Sequence, residues 1–240
     1  MEANKETKPM LTTARLISYS QTDKDSLVVG EDIQELIAYC ARVSNPANQA
    51  NHETSEKLIK YLVKHKHWSP LEMVSACLEI ETTRDIAHQI VRHRSFSFQE
   101  FSQRYAEPSA MGNEFTVREC RLQDTTNRQN SIEIESDPSI QDNQKMTDLI
   151  IEWQRRQHGV INSAKACYDW AIANGIAKEQ ARAVLPEGLT KTRLYMNGTL
   201  RSWVHYIELR SENGTQKEHM QVAQECAKEI AKIFPLMEKL

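Results

Sequence analysis

Residues 146–173 constrain the fold more than any other segment, because apolar side chains recur along them at helical spacing. Gly175 follows, and glycine is the residue that most often ends a helix. The pattern predicts one long α-helix in the second half of the chain. Its apolar positions are Leu149, Ile150, Trp153, Val160, Ile161, Ala164, Cys167, Tyr168 and Ala171.

Shorter periodic segments predict further helices and a few strands. Helical spacing is found in residues 32–43, 55–66, 178–185 and 200–210. Strands are predicted at residues 12–19 and at residues 73–82, where apolar and polar side chains alternate. This mixture predicts the α+β class, with helices packed on an antiparallel sheet.

Two further helices have recognisable starts. Thr83, with Asp85 in the first turn, is predicted to cap a short helix that runs into a basic segment. Thr215 and Glu218 have the T-x-x-E spacing of a capping box, which predicts the start of a last helix that Pro235 closes.

Composition limits the classes of protein to consider. The formal net charge of the 240 residues is −3, so no global basic field attracts nucleic acid. No long apolar run is present, and the first residues lack an apolar signal core, which favours a soluble, cytoplasmic protein away from membranes. The five cysteines are scattered without C-x-x-C spacing, so neither a disulfide framework nor a metal site is predicted. Four of them are expected in the core, and Cys120 is expected to be the exposed thiol.

Residues 109–144 are polar and lack a periodic pattern. Regular structure resumes after them without a change of composition. They are predicted to form a long polar surface excursion from a single domain that spans residues 1–240.

The strongest chemical signal is the stretch R-H-R-S-F-S-F-Q-E-F-S from Arg92 to Ser102, with Arg104 two places further on. A guanidinium can grip a phosphate with two parallel hydrogen bonds, and serine hydroxyls can complete such a pocket. The segment therefore favours anion binding, most simply of a nucleotide phosphate. The alternative is a solvated basic face. On the predicted helix, Gln89, Arg92 and His93 would share one side, with Ala87 and Val91 on the core side.

Two other sites carry cations in helical context. On the helix of residues 200–210, Arg201, His205 and Glu208 share a face, and Arg210 lies about half a turn away. These arginines could serve two ligands, or one could be a surface residue and the other an ion-pair partner. Arg182 stands in the apolar sequence A-R-A-V-L-P, where a semi-buried guanidinium needs an anionic partner, and a structural carboxylate is the commoner one.

Neither G-x-G-x-x-G nor G-x-x-x-x-G-K occurs in the sequence. A bound dinucleotide would therefore be held by arginine side chains and helix ends rather than by a Rossmann turn or a P-loop.

R-H-R, seven residues, then S-x-R-Y resembles the signature of flavin-dependent thymidylate synthases. H-K-H-W-S-P-L-E-M at residues 65–73, A-R-A-V-L-P at 181–186 and N-G-T-L-R-S-W-V-H-Y-I-E-L-R at 197–210 resemble other segments of that family. T-Q-K-E-H from Thr215 resembles the stretch that follows them. The resemblance implies a single non-Rossmann α+β domain that forms homotetramers with active sites shared between protomers. It also implies synthesis of thymidylate from dUMP, with methylenetetrahydrofolate as folate co-substrate, FAD as cofactor and NADPH as reductant.

By position, the resemblance implies two sets of site residues. Those implied for FAD are Ser69, Arg92, His93, Arg94, Glu100, Thr199, Arg201 and His205. Those implied for dUMP are Gln89, Arg92, Glu100, Phe101, Ser102, Gln103, Arg104, Arg182 and Arg210. Arg210 would act catalytically at the uracil edge, where a permanent cation stabilises developing negative charge.

Two rival hypotheses use the same residues differently. A non-catalytic protein that binds nucleotides or RNA phosphates would need the arginines alone, but net charge −3 and few aromatic residues near the basic segment count against it. A thiol-based methyltransferase would need an activated cysteine, and none has the expected neighbourhood.

Overall fold

The computed structural model describes residues 12–28, 32–134 and 144–239. Its strands are β1 (Thr13–Tyr19), β2 (Ser75–Thr83), β3 (Ser97–Glu100), β4 (Arg121–Gln123), β5 (Ser131–Glu133) and β6 (Lys191–Thr199). Four of them form an antiparallel sheet in the order β1-β2-β6-β3, and β4 pairs with β5 in a separate ribbon. The predicted α+β class with an antiparallel sheet is confirmed.

Strand β2 is an inner strand of the sheet, paired with β1 on one side and with β6 on the other. Ala76, Leu78 and Ile80 are buried, and Leu78 lies opposite Leu16 on one side and Met196 on the other. The strand starts at Ser75 rather than at residue 73. Residues Ser69–Met73 form a 3-10 helix instead, with proline in its first turn, where a missing N–H is no loss.

The α-helices are α1 (Ile33–Ala41), α2 (Ser55–Lys64), α3 (Arg84–Ile90), α4 (Gln144–Ala173), α5 (Lys178–Ala181), α6 (Leu200–Ser211) and α7 (Lys217–Ala231). All the predicted helices are present. The helix predicted at residues 178–185 continues past Ala181 only as the 3-10 turn Arg182–Val184. Further 3-10 turns are Pro46–Asn48, Pro108–Met111 and Pro235–Lys239.

Helices α6 and α7 pack against the sheet and contribute to the main core together with α1, α2 and α3. The predicted stripe on α6 is buried and includes Trp203, whose indole Nε1 donates to Ala76 O at 3.0 Å. A buried indole needs such an acceptor, and this one ties α6 to the central strand.

Neither predicted cap makes its expected hydrogen bond. Thr83 precedes α3 as predicted, but its hydroxyl donates to Asp85 Oδ1 at 2.5 Å rather than accepting from a helix N–H. Helix α7 begins after Gln216, and no side chain caps it. The capping box fails because Thr215 Oγ1 donates back to Leu209 O, while Glu218 binds arginine.

Helix α4 buries little of its apolar surface within the chain. Its buried residues are Gln157, Tyr168 and Ala171. Trp153 and Val160, predicted on the apolar side, are 40% and 51% exposed, and Trp170 is 62% exposed. Gly175 ends the helix as predicted, with a left-handed φ of 76°.

Part of the segment at residues 109–144 packs against the rest of the chain. Arg118 N donates to Gln157 Oε1 at 2.7 Å, and Phe115 forms an isolated bridge with Thr190. Residues 135–143 of the predicted excursion lie outside the described residues. Within this segment Cys120 is half-buried, whereas Cys167 on α4 is exposed, so the expected burial of these two thiols is reversed.

Candidate functional site

Arg92, His93 and Arg94 lie in a tight turn, called here the basic turn (residues 91–96), between α3 and β3. Helix α3 ends at Ile90, and Phe96 N donates to His93 O at 3.3 Å to close the turn. The expectation that Gln89, Arg92 and His93 share a helix face is therefore wrong, because the helix ends before residue 92.

The two apolar residues expected on the core side of α3 differ in burial. Ala87 is fully buried, as expected, but Val91 is 36% exposed and does not enter the core. Val91 is the C-cap of α3, at the point where the chain leaves the helix for the basic turn.

A close approach of two residues holds the basic turn in place. Phe96 packs edge-on against Trp203, with ring centroids 4.9 Å apart, and its ring lies directly over Gly198 of β6. A side chain at position 198 would collide with this ring, so glycine is required there. Ser202 Oγ of α6 also donates to Ser95 O at 3.2 Å.

His93 and Arg210 are joined directly. Arg210 Nε donates to His93 Nε2 at 2.9 Å, so His93 accepts there and is neutral. Burial, followed by the charge of Arg210, lowers the pKa of His93, which favours that neutral form. The imidazole thus fixes one edge of the guanidinium and leaves its two terminal nitrogens for another partner.

Arg92 and Arg94 are the two arginines of the basic turn. Arg92 and Arg94 are exposed, and neither forms an ion pair within the described residues. With Arg210 bound to His93, three guanidinium groups are associated with the basic turn. Such a cluster is suited to phosphate groups.

A second flank of α6 adjoins the 3-10 helix Ser69–Met73. Arg201 forms an ion pair with Glu72, and His205 packs edge-on against Trp68 with centroids 4.6 Å apart. Ser69 is exposed at the start of this 3-10 helix, and Thr199 caps α6 by accepting from Ser202 N at 3.3 Å. Arg201 and Arg210 therefore contact different elements, as their predicted separation around the helix requires.

The remaining candidates form a separate group at the far end of β3. Glu100 accepts from Arg84 at 3.2 Å and from Thr192 at 2.8 Å. Arg104 pairs with Glu179 at 3.4 Å, which brings it beside the short helix that precedes Arg182. Phe101 and Ser102 are half-buried between these contacts.

Gln103 belongs to this second group and has an unusual environment. Its side chain is 3% exposed, and its Nε2 has no acceptor within the described residues. A buried amide nitrogen without an acceptor is costly, so this atom is suited to an external partner.

The two groups do not meet within one chain. Ser97 and Glu100 mark the two ends of β3, which at about 3.3 Å per residue are roughly 10 Å apart. The basic turn, α6 and residues 69–73 lie at one end, and residues 100–104 with Arg182 lie at the other.

The chain matches the family model Thy1, thymidylate synthase complementing protein, over residues 26–236. The chain belongs to this family. A probable flavin-dependent thymidylate synthase of Paramecium bursaria Chlorella virus 1 is 45% identical over 95% of the chain and 97% of that protein. A flavin-dependent thymidylate synthase of Synechocystis sp. is 45% identical over 90% of the chain and 94% of that protein.

A solved structure is also similar to this Thy1-family chain. It is the UMP/dUMP methylase PolB from Streptomyces cacaoi, bound with 5-Br dUMP. The TM-score is 0.72 at 25% identity, covering 95% of this chain and 93% of that one.

One buried side chain near the basic turn of this Thy1-family protein was not predicted from the sequence. His219 of α7 is fully buried and contacts Tyr206 and Gln89. A signal was available, because His219 has helical spacing with the buried residues Val222 and Cys226 and is thus polar within an apolar stripe.

Other chemistries find little support in the described part of this Thy1-family protein. Burial raises the pKa of the Cys40, Cys77, Cys120 and Cys226 thiols, which opposes thiolate formation. No three His, Cys, Asp or Glu side chains are grouped to hold a metal ion among residues 12–28, 32–134 and 144–239. In the same residues, no helix has the length and apolarity needed to span a membrane.

Proposed function

We propose that this chain is a flavin-dependent thymidylate synthase. It would convert dUMP to dTMP with methylenetetrahydrofolate as one-carbon donor, FAD as cofactor and NADPH as reductant. Membership of the Thy1 family and two relatives of that name at 45% identity support the activity. The main structural support for the site is that neutral His93 holds Arg210 in a turn that also contains Arg92 and Arg94.

The basic turn and its surroundings fit FAD. Arg92 and Arg94 are free to grip the diphosphate, and the exposed Ser69 hydroxyl can donate to it. Arg201 would exchange Glu72 for the cofactor, at modest cost because that ion pair is 42% and 40% exposed. When bound and reduced, the flavin would supply a hydride.

Arg210 would bind the uracil edge. His93 occupies its Nε, so the two terminal nitrogens are oriented without further cost in side-chain entropy. A guanidinium stays protonated, so Arg210 would stabilise negative charge on the ring rather than remove a proton.

The group at the far end of β3 would bind the nucleotide phosphate. Ser102, Arg104 and Arg182 supply hydroxyl and guanidinium donors, and the Nε2 of Gln103 supplies a buried N–H that lacks an acceptor. The ion pair of Arg104 with Glu179 is exposed and 3.4 Å long, so a phosphate can replace it readily.

A complete site would need more than one copy of the chain. The two groups lie roughly 10 Å apart along β3, so we infer that the basic turn of one protomer faces residues 100–104 of another. The exposed apolar side chains of α4 support a subunit interface, because a helix that leaves several large apolar side chains uncovered can bury them by association. The proposed assembly is a homotetramer, which light scattering would test.

Flavin content and turnover, measured together, test the function. Purified protein should carry FAD and methylate dUMP in the presence of methylenetetrahydrofolate and NADPH. Arg210→Ala should keep its flavin and lose about 10²–10³ in turnover, because it removes a donor that acts in the transition state. Arg201→Ala should lose flavin first.

Glu72→Gln is the matched control, because it removes the ion pair but leaves Arg201 in place. It should retain flavin. Protein that binds dUMP but neither takes up FAD nor turns over would instead be a non-catalytic nucleotide-binding protein. Near-normal turnover in Arg210→Ala would refute the assignment of the uracil site to α6. The cytoplasmic location stays a prediction, as does the absence of a nucleic-acid partner.

A further inference from the structure

Five side chains form an unbroken chain of hydrogen bonds, called here the buried polar chain. Its links are Tyr206 Oη to His219 Nε2 at 3.1 Å and His219 Nδ1 to Gln89 Oε1 at 3.2 Å. They continue from Gln89 Nε2 to Gln216 Oε1 at 2.8 Å and from Gln216 Nε2 to Glu218 Oε2 at 3.0 Å. Tyr206, His219 and Glu218 are buried, and Gln89 and Gln216 are half-buried, so the chain is largely shielded from water.

Glu218 fixes the direction of the chain. Arg121 Nη2 donates to its Oε1 at 2.5 Å, and Arg118 lies 3.5 Å from the same oxygen. Burial works to raise the pKa of Glu218, but these two arginines and Gln216 outweigh it and lower the pKa. The ionised carboxylate can only accept, so Gln216 must donate to it, and Gln89 must in turn donate to Gln216.

The other end of the chain agrees with this direction. Gln89 Oε1 must then accept from His219 Nδ1–H, which leaves His219 Nε2 to accept from the Tyr206 hydroxyl. Burial, followed by the charges of Arg210 and His93, lowers the pKa of His219 to about 3, so it is neutral and has one N–H. Burial raises the pKa of Tyr206, so its hydroxyl keeps the proton it donates.

The chain lies next to the proposed uracil site. The His219 ring is 6.2 Å from the ring of His93, centroid to centroid, and His93 holds Arg210 at 2.9 Å. Gln89, bonded to His219, therefore belongs to the same cluster as Arg210.

The direction determines what Gln89 can offer to a ligand. Its oxygen is committed to His219, and one hydrogen of its nitrogen is committed to Gln216. The second N–H remains. Together with the terminal nitrogens of Arg210, the cluster then presents hydrogen-bond donors. At C4 uracil presents an acceptor oxygen, whereas cytosine presents a donor amino group.

We propose that His219 is a positioning residue that acts through Gln89 to select pyrimidine nucleotides with an acceptor at C4 over those with a 4-amino group. The proposal rests on the proposed function, because it takes the Arg210 cluster as the pyrimidine site. Without His219 the oxygen of the Gln89 carboxamide loses its donor, while the bond from its nitrogen to Gln216 remains. That free oxygen can then accept from an amino group. Discrimination would then fall.

The test is the ratio of dUMP affinity to dCMP affinity, measured by titration calorimetry on the FAD-loaded protein. His219→Phe removes both polar links of the imidazole. Gln216→Met breaks the chain at a half-buried position and keeps the side-chain length, so it remains informative if the histidine variant does not fold. Each should lower the ratio about tenfold, the effect of one ordinary hydrogen bond. His219→Asn can still donate to Gln89 and should keep most of the ratio.

A purely structural role would weaken both nucleotides equally and leave the ratio unchanged. An unchanged ratio in folded His219→Phe or Gln216→Met protein, with dUMP still bound, would overturn the role of His219 alone. If the unaltered protein fails to bind dUMP, the proposed function fails, and the selection mechanism is overturned with it.

Discussion

Replacing Gly198 by alanine tests whether close packing beneath the basic turn holds His93 in position. A Cβ built at residue 198 lies 2.6 Å from Phe96 Cε1 and closer still to Cδ1. Carbon atoms in contact are normally about 3.5–4.0 Å apart, so the ring must retreat by about 1 Å. Phe96 is 8% exposed and packs against Trp203 and Tyr206, so it has no free space to enter.

The expected loss of stability is about 1–3 kcal/mol, typical of overpacking a well-filled core. Turnover should fall by more than the loss of folded protein alone would cause. Movement of Phe96 shifts the peptide that closes on His93, and His93 holds Arg210. A displacement of about 1 Å at a reacting group can cost roughly 10²-fold in rate.

Gly159→Ala is the matched control. Gly159 lies within α4, and no atom is within 4 Å of a Cβ built there. The same chemical change should therefore stabilise the protein by about 0.5–1 kcal/mol and leave turnover unchanged. Unfolding in urea and steady-state turnover measure both effects.

A double-mutant cycle isolates the cause. Phe96→Leu removes the colliding ring edge, so its combination with Gly198→Ala should be less harmful than the sum of the two single changes. Additive effects, or a Gly198→Ala protein with unchanged stability and turnover, would refute the packing argument.

Three further outcomes follow from the described structure. Lys66 adopts a left-handed φ of 58° just after α2, a conformation that costs a residue with a side chain about 1–2 kcal/mol. Lys66→Gly should therefore raise the urea midpoint of unfolding. Lys64→Gly, within the helix, should lower that midpoint. The pKa of His219 is lowered from 6.5 to about 3, so the unfolded chain binds more protons between these values, and stability should fall as pH drops through them, by at most about 1.4 kcal/mol per unit. His219→Asn should flatten that pH dependence in urea titrations from pH 7 to 4, and an unchanged slope would contradict the burial of a neutral imidazole. Alanine at each cysteine in turn should leave turnover intact, and a folded variant that binds FAD and dUMP without methylating would show that a thiol takes part.

The periodic part of the fold was predictable from the sequence, because burial imposes the spacing of apolar residues. Helix α6 and strand β2 follow from such spacing alone. The spacing also predicted helix α4, but not the exposure of its Trp153 and Val160. Helix ends were less accessible. Thr83 and Thr215 have capping residue types, yet the hydroxyl of Thr83 donates to Asp85 and that of Thr215 donates back to Leu209 O. Glu218, the other half of the expected capping box, binds Arg121 from a distant segment.

The candidate site was predictable as a set of residues but not as an arrangement. The basic segment and α6 are conspicuous in the sequence, whereas the bond between Arg210 and His93 joins residues far apart along it. Local patterns carry no information on such pairs. The buried polar chain could not be predicted either, because its links also join residues far apart in the sequence. Its direction depends in addition on the charge of Glu218.

The strand order has a consequence for how the molecule is made. The central pairing joins β2 to β6, so Leu78 meets Met196 only after most of the chain has left the ribosome. Strand β3 has β6 as its partner, so the basic turn must wait as well. Pairings between such distant residues slow folding, because the long intervening loop must close first. Until then β2 exposes an unpaired apolar edge, which makes the nascent chain prone to aggregate and a natural client for chaperones.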